Sequence, residues 1–92
     1  MSNIRNDFYI AVDGELVAQI EFIIHEKETT EGNRIVIFHT LVSDHCRGQG
    51  LGKALIDRVV KHARNENKSV QSVCPFAKMI LEKENKYRDV LI

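Results

Sequence analysis

The sequence has few of the residues that mark several classes of protein. Among 92 residues there are two cysteines, one proline and no tryptophan. Two cysteines cannot form the disulfide framework of a small secreted domain, and with the histidines they lack the paired spacing of a zinc site. No apolar run approaches the roughly 20 residues of a membrane span, and the N-terminus lacks the apolar core of a signal peptide. We therefore expect a cytoplasmic protein with reduced thiols, no metal and no membrane partner.

An excess of positive charge is also missing. Thirteen Lys and Arg residues balance thirteen Asp and Glu residues, so the formal net charge is zero. A free-standing nucleic-acid-binding protein usually carries a clear basic excess, so we expect no nucleic-acid partner. What remains is an average globular composition, with 43% hydrophobic and 28% charged residues. The length suits one domain covering residues 1–92.

The first half of the chain has the patterning of β-strands. Strand-forming residues occupy positions 8–12, Asp13 and Gly14 form a two-residue hairpin signal, and apolar residues alternate over positions 15–25. After a polar turn at positions 26–33, a third strand is predicted at Arg34–Val42. The alternation places four side chains on one face of that strand, namely Ile35, Ile37, His39 and Leu41. Three successive strands with short turns predict an antiparallel meander.

From Gly52 the apolar period becomes that of a helix. Apolar residues recur at three- and four-residue intervals as far as Ala63, which predicts one amphipathic helix. A short strand is predicted at Ser69–Val73, and because it follows a helix we expect it to run parallel to the third strand. Pro75 favours the first position of a second helix, which makes Cys74 the expected N-cap. The predicted fold class is α/β, with an antiparallel meander followed by a β-α-β crossover and a C-terminal helix.

Three alternate glycines stand between the third strand and the first helix. The run from Arg47 to Lys53 reads R-G-Q-G-L-G-K. Glycine lets the backbone approach a ligand closely, and the first N–H groups of a helix are unpaired at the positive end of its dipole. Arg47 and Lys53 add positive charge, so this stretch predicts a site for an anion. It fits neither the nucleotide P-loop nor the dinucleotide fingerprint G-x-G-x-x-G, because Arg47 and Lys53 stand where those patterns require glycine.

With two further motifs, this run resembles the GCN5-related N-acetyltransferase family. The motif H-T-x-V begins at His39, R-G-x-G-x-G begins at Arg47, and C-x-F-A begins at Cys74. In this order they resemble a small stand-alone branch of the family, and the resemblance covers Ile35 to about Val90. It implies a minimal fold of that family and an acetyl-coenzyme A-dependent N-acetyltransferase. The acceptor would be an unidentified primary amine of a small molecule or peptide, and the protein a monomer or weak homodimer.

The resemblance implies how acetyl-coenzyme A would be held. Backbone amides of the glycine run would bind its pyrophosphate, and its pantetheine arm would pair with backbone at the end of the third strand. Residues of the second helix would line that arm. The residues expected to bind the co-substrate are Leu41, Val42, Arg47, Gly48, Gln49, Gly50, Leu51, Gly52, Lys53, Phe76 and Ala77.

Cys74 and His39 are the catalytic candidates. A helix N-terminus stabilises a thiolate, and ligands of α/β sheets bind at the carboxyl ends of strands. An imidazole beside the acetyl group is suited to act as a general base near neutral pH. In much of the family a tyrosine seven residues after the Cys74 position protonates the departing thiolate, but here that residue is Leu81. Two routes stay open, namely direct attack by the amine or prior acetylation of Cys74.

Each candidate also has a purely structural explanation. Cys74 fits an inert thiol at a strand end, and His39 fits a hydrogen-bonded core residue. Cys46 and His45 have the pattern of solvated loop residues. A solvated helix face is predicted for Lys78, Glu82, Lys83, Glu84 and Lys86. Two other functions also fit the sequence, namely a non-catalytic coenzyme A-binding module and a small interaction domain with a degenerate cofactor site.

Overall fold

The computed structural model describes residues 2–26 and 33–91. Its strands and helices follow one another in the predicted order, and they confirm the α/β class. The strands are β1 at Ser2–Val12, β2 at Glu15–Glu26, β3 at Arg34–Val42 and β4 at Ser69–Ser72. The helices are α1 at Leu51–Asn65 and α2 at Pro75–Lys83, with short 3-10 helices at Asp44–Cys46 and Asn85–Tyr87.

The four strands form one sheet in the order β1-β2-β3-β4. The pairs β1–β2 and β2–β3 are antiparallel and β3–β4 is parallel, as predicted. Asp13 and Gly14 have φ values of 51° and 81°, the left-handed conformation that a tight two-residue hairpin requires. The predicted start of β1 was wrong, because the strand begins at Ser2 and not at Phe8. Most of the polar turn predicted between β2 and β3 lies outside the described residues.

Both helices pack on one face of the sheet around a single apolar core. The amphipathic period of α1 buries one side of that helix against the strands, and burial contributes about 1.5–3 kcal/mol for each large aliphatic side chain. The core includes Ile20, Phe22, Ile35, Ile37, Leu55, Ile56, Val59, Val70, Ala77 and Leu81. We call the opposite side of the sheet the open face, because no described helix covers it. It carries Arg5, Asp7, Tyr9, Glu21 and His39.

The segment after α2 is fixed against the sheet. The backbone N–H of Val70 donates to the carbonyl of Val90 at 2.7 Å, and Leu91 forms a parallel bridge with Val70. Tyr87 is buried in the same core. These contacts hold the end of the described chain beside β4. Within residues 2–26 and 33–91, no helix is both long enough and apolar enough to cross a membrane.

Candidate functional site

An extra residue in β3 changes the direction of the side chains near its end. Phe22 of β2 lies opposite Ile37, but the preceding residue of β2, Glu21, lies opposite His39. Phe38 is therefore unmatched, which is the arrangement of a β-bulge. A bulge shifts the alternation of side chains along the strand by one residue. The two faces of β3 are exchanged beyond this point.

The prediction that His39 and Leu41 share a face with Ile35 and Ile37 was wrong because of this bulge. Unbroken alternation placed them beside Ile37, which is fully buried. Instead His39 is exposed and Leu41 is 47% exposed, both on the open face. Thr40 and Val42 take the helix side in their place and are half-buried. The structure therefore brings Thr40, and not His39, to the side of the sheet where the helices begin.

The parallel pairing of β3 with β4 ends before β3 does. The backbone N–H of Val73 donates to the carbonyl of Ile37 at 2.9 Å, and no described backbone bond joins the two strands beyond it. β3 continues to Val42, so its last residues have a free edge on this side. Such an edge can pair with any extended group that carries amide donors and acceptors.

Two residues present their backbone groups to this free edge. The N–H of Ser43 donates to the carbonyl of Val17 in β2 at 2.8 Å, so Ser43 points away from the edge. Because successive residues of a strand point in opposite directions, Leu41 also faces β2, while Thr40 and Val42 face the edge. The backbone groups of Leu41, which were predicted to pair with the co-substrate, therefore face β2, and those of Thr40 face the free edge.

A pocket of about 530 Å³ opens beside the edge. It is lined by Thr40, Val42, Cys46, Arg47, Gly48, Gly50, Leu51, Gly52, Lys53 and Phe76. Of the residues predicted to bind the co-substrate, all but Leu41, Gln49 and Ala77 line it. Thr40 and Cys46 were missed. Thr40 could have been found from its spacing, because it shares the parity of Val42 along the strand.

Glycines open one wall of the pocket. Gly48 and Gly50 have φ values of 86° and 75°, which favour glycine, and nothing lies within 4 Å of a Cβ added at either position. Gly52 is required for a different reason, because a Cβ there would lie 2.8 Å from Cε2 of Phe76. The Phe76 ring rests against Gly52 and is 41% exposed. The turn thus leaves its backbone accessible, with an aromatic ring alongside.

The two cations of the turn are each paired with a carboxylate. Arg47 Nε lies 3.2 Å from Asp44 Oδ1, and both side chains are largely exposed. Lys53 Nζ donates to Glu84 at 2.9 Å, which joins the start of α1 to the residue after α2. The prediction that Glu84 belongs to a solvated face was wrong, because it is half-buried in this ion pair. The Arg47–Asp44 pair is exposed and the Lys53–Glu84 pair is partly exposed. Pairs of this kind contribute only about 0–1 kcal/mol, so an anion can compete for either cation.

Cys74 is the N-cap of α2, as predicted. Its side chain is 8% exposed, and Sγ lies 3.6 Å from Oγ1 of Thr40, which is part of the pocket wall. Burial raises the pKa of the Cys74 thiol, but the N–H of Ala77, the hydroxyl of Thr40 and the N–H groups of Phe76 and Thr40 together lower it below its ordinary value. Phe76 and Ala77 lie in the first turn of α2, so the start of this helix favours the thiolate of Cys74.

Ser72 fixes the backbone that carries this thiol. Its hydroxyl donates to the carbonyl of Cys74 at 2.9 Å and accepts from the N–H of Cys74 at 3.1 Å. Ser72 also pairs with Ile37 in the parallel ladder. The thiol therefore has a fixed position relative to β3, although no sequence motif singled out Ser72.

Four other residues, two near the pocket and two that bear on the missing acid, have structural surroundings. Cys46 is not a solvated loop residue as predicted, because it is 9% exposed within a 3-10 helix, whereas His45 beside it is exposed. Leu81 is buried in the core. The hydroxyl of Tyr87 donates to the carboxylate of Asp57. Neither Leu81 nor Tyr87 offers a free acid to Cys74.

Comparison with known proteins identifies the family. Residues 7–90 match the family described as GCN5-related N-acetyl-transferase. N-acetyltransferase 8B of Rattus norvegicus is 34% identical over 67 residues, which is 72% of this chain and 30% of that protein. The chain thus spans less than a third of this curated relative.

Two solved structures share the fold. A GCN5-like protein of Staphylococcus aureus is 42% identical, with a TM-score of 0.73 over 95% of this chain and 81% of that one. The ribosomal-protein-alanine N-acetyltransferase of Brucella melitensis is 25% identical, with a TM-score of 0.72 over 86% of this chain and 59% of that one. With the family match over residues 7–90, these likenesses show that the chain belongs to the GCN5-related N-acetyltransferase family.

Proposed function

We propose that this protein transfers the acetyl group of acetyl-coenzyme A to a primary amine. The observation that carries the proposal is the contact between Thr40 in the wall of the glycine-lined pocket and the thiol of Cys74. This contact supports the proposal, because it joins the wall of a pocket suited to an anion to a thiol whose pKa is lowered. Membership of the family supports the same reaction.

The pocket fits the co-substrate in size and chemistry. Its volume of about 530 Å³ is typical of sites for small molecules. Gly48 and Gly50 leave backbone and open space for a pyrophosphate, and Arg47 and Lys53 can exchange their exposed carboxylate partners for phosphate oxygens. The free edge of β3 offers backbone donors and acceptors to the amides of a pantetheine arm.

Cys74 is the proposed nucleophile. Its thiolate would attack the thioester carbonyl carbon, form acetyl-cysteine and displace coenzyme A as a thiolate. The acceptor amine would then attack the acetyl-cysteine carbonyl and release the Cys74 thiolate, giving up one proton to a base. The lowered pKa of Cys74 and the absence of a tyrosine at Leu81 favour this route over direct attack by the amine.

His39 is the candidate for the base that removes the proton from the amine. Its imidazole is exposed on the open face, while the next residue, Thr40, contacts Cys74 from the helix side. A base at His39 therefore requires the acceptor to approach from the open face, through the gap between the ends of β3 and β4.

Mass spectrometry of the protein with acetyl-coenzyme A, with and without a panel of amines, tests the proposal. We expect an acetyl adduct on Cys74, and we expect added amines to remove it and to become acetylated. The Cys74→Ser variant should form no adduct, whereas the Cys46→Ser variant should still form it. Turnover by Cys74→Ser without an adduct would instead indicate direct transfer. Binding of coenzyme A without turnover of any amine would indicate a binding module, and no binding would overturn the proposal.

A further inference from the structure

β1 is an edge strand, and no described strand pairs with its outer side. It begins the strand order and pairs only with β2. Monomeric proteins usually protect such edges with charged side chains, Lys above all, or with Pro, bulges or very short strands. The charged residues of β1 are Arg5 and Asp7, which have opposite signs. β1 contains neither Lys nor Pro, and its pairing is regular from Ser2 to the register shift at Ile10. This is a long, regular edge that can accept another strand.

Two side chains of α1 reach the middle of this strand: Arg58 lies over the Phe8 ring at 4.9 Å, and His62 packs edge-on against the same ring. A hollow of about 340 Å³ lies there, lined by Asp7, Phe8, Tyr9 and Arg58. Tyr9 is 59% exposed. Arg58 is exposed and is not part of the apolar core, so an approaching strand could displace its side chain without unpacking that core.

The sequence of β1 is self-complementary when two copies pair antiparallel about a two-fold axis. With the axis at Asn6, Arg5 of one copy lies opposite Asp7 of the other, and the symmetry repeats this pair. Directly opposite residues of antiparallel strands point to the same face, and both of these side chains lie on the open face. Axes at Arg5 or at Asp7 would instead place like charges opposite each other.

The geometry of the strand selects the same axis. The regular part of β1 runs from Ser2 to Ile10, and its midpoint is Asn6. The register that joins the opposite charges therefore also uses the whole regular strand. Charge and strand length are independent features, and they agree on one arrangement.

We propose that β1 is an interaction edge for a second copy of this chain, which extends the sheet to eight strands. Both charged side chains already have contacts within the chain, and an ion pair between the two copies would add to or replace these contacts. Arg5 lies 4.0 Å from Glu21 and stacks on the ring of Phe38 at 4.8 Å, while Asp7 accepts from the amide of Gln19. A single strand pair buries less surface than a standard interface, so the dimer is weak and depends on concentration. β1 and β4 are opposite edges, so the pocket remains open in both copies.

Charge-reversal variants and their mixture test the register in sedimentation equilibrium from micromolar to millimolar protein. Arg5→Asp and Asp7→Arg each place like charges opposite one another twice, so we expect each to raise the dimer dissociation constant about tenfold. Mixing the two variants creates two attractive pairs, so the mixture should associate at least as well as the wild type. Arg88→Asp, an exposed reversal outside β1, should leave the dimer unchanged.

Three results would overturn the proposal. They are a wild type that stays monomeric at millimolar concentration, a mixture that associates no better than either variant alone, and single variants that dimerise like the wild type. If the variants do not fold, hydrogen exchange of wild-type β1 amides serves as a second measurement, and it must slow with rising concentration. Coenzyme A binding is also measured on each sample. A loss of that binding would contradict the proposed function but would not bear on dimerisation through β1.

Discussion

The hydroxyl of Thr40 lies 3.6 Å from the sulfur of Cys74, across the gap between the ends of β3 and β4. A neutral thiol donates to the Thr40 oxygen, and a thiolate accepts from the Thr40 hydroxyl, so the contact persists in both protonation states. The bulge at Phe38 makes it possible, because without the shift Thr40 would face the other side of the sheet. The reactivity of Cys74 thus depends on an irregularity in a neighbouring strand.

Thr40→Val should make Cys74 less acidic. The valine keeps the volume but removes the hydroxyl that lowers the thiol pKa, so the pH midpoint of Cys74 alkylation should move upward. Thr40→Ser keeps the hydroxyl and is the matched control. Peptide-level mass spectrometry after short iodoacetamide pulses across a pH series measures the midpoint. Equal midpoints in wild type and Thr40→Val would show that this contact does not tune the thiol.

The lowered pKa of Cys74 also predicts how the free energy of unfolding changes with pH. The folded protein holds the thiolate more readily than the unfolded chain, so this contribution is present above the ordinary thiol pKa of 9.0 and is lost as pH falls through the folded value. We expect the difference in unfolding free energy between wild type and Cys74→Ala to grow with pH as pH approaches 9.0. Chemical denaturation across that range measures it, and a difference that shrinks would contradict the assignment.

Cys74 should be alkylated before Cys46 at mildly acidic pH. The two thiols are buried to a similar degree, so the order depends on the thiolate, which the N-terminus of α2 favours at Cys74, whereas Cys46 has no α-helix N-terminus of its own. Bound coenzyme A should slow the reaction of Cys74, because the arm would lie along β3 beside it. The comparison uses one protein sample with and without coenzyme A. Faster labelling of Cys46, with no protection of Cys74, would leave His39 as the remaining catalytic candidate.

Substitutions at Gly50 should weaken coenzyme A binding more than tenfold, which is about 1.4 kcal/mol. Valine is strained at a φ of 75° and fills open space beside the pocket. Asparagine tolerates this φ, so Gly50→Asn separates occupation of that space from backbone strain. Gly14→Asn, at a φ of 81° in the β1–β2 turn, is the control and should bind normally. Calorimetry showing unchanged affinity in folded Gly50 variants would exclude this turn as the pyrophosphate site.

Periodicity and turn chemistry predicted most of the fold. Alternation identified the strands, the helical period identified α1, and Pro75 identified the N-cap at Cys74. These signals are local, since each depends on residues within one element. The glycine turn was equally readable, because positive φ at Gly48 and Gly50 requires that residue type.

The errors came from features that depend on two elements at once. The bulge at Phe38 exists only in the register between β2 and β3, so alternation within β3 could not reveal it. It moved His39 and Leu41 to the open face and brought Thr40 to the site. The burial of Cys46 likewise depends on how its loop packs beside the pocket.

Glu84→Gln and Arg47→Ala should change coenzyme A affinity in opposite directions. Removing the Glu84 carboxylate frees Lys53 for a phosphate and should raise affinity by up to about fivefold, the scale of one exposed ion pair. Arg47→Ala should lower the affinity and also its dependence on salt. Glu82→Gln, on the exposed side of α2, removes the same charge as a control. Coenzyme A titrations at several salt concentrations measure both effects. If the affinity of Arg47→Ala depended on salt as steeply as that of the wild type, the role proposed for Arg47 would be contradicted.

Tyr87→Phe should destabilise the protein without impairing acetyl transfer. Tyr87 is 1% exposed, and its hydroxyl donates to the carboxylate of Asp57, whose other partner is Lys86. Losing a hydrogen bond to a charged group costs about 1.5–3 kcal/mol of unfolding free energy. Tyr9→Phe, an exposed position, is the control and should stay within about 0.5 kcal/mol of the wild type.

The stability of Tyr87→Phe as a function of pH tests whether the Tyr87 hydroxyl stabilises the fold without taking part in catalysis. Burial and the Asp57 carboxylate raise the pKa of Tyr87, so its contribution is present below the ordinary value of 10.0 and is lost as pH rises above it. Wild type and Tyr87→Phe should therefore converge in stability above pH 10.0, as measured by denaturation on both sides of that value. Acetyl transfer at pH 7 should be equal in the two proteins. A large loss of turnover in a folded Tyr87→Phe variant would instead show that this phenol takes part in the reaction and does more than hold the last residues against α1.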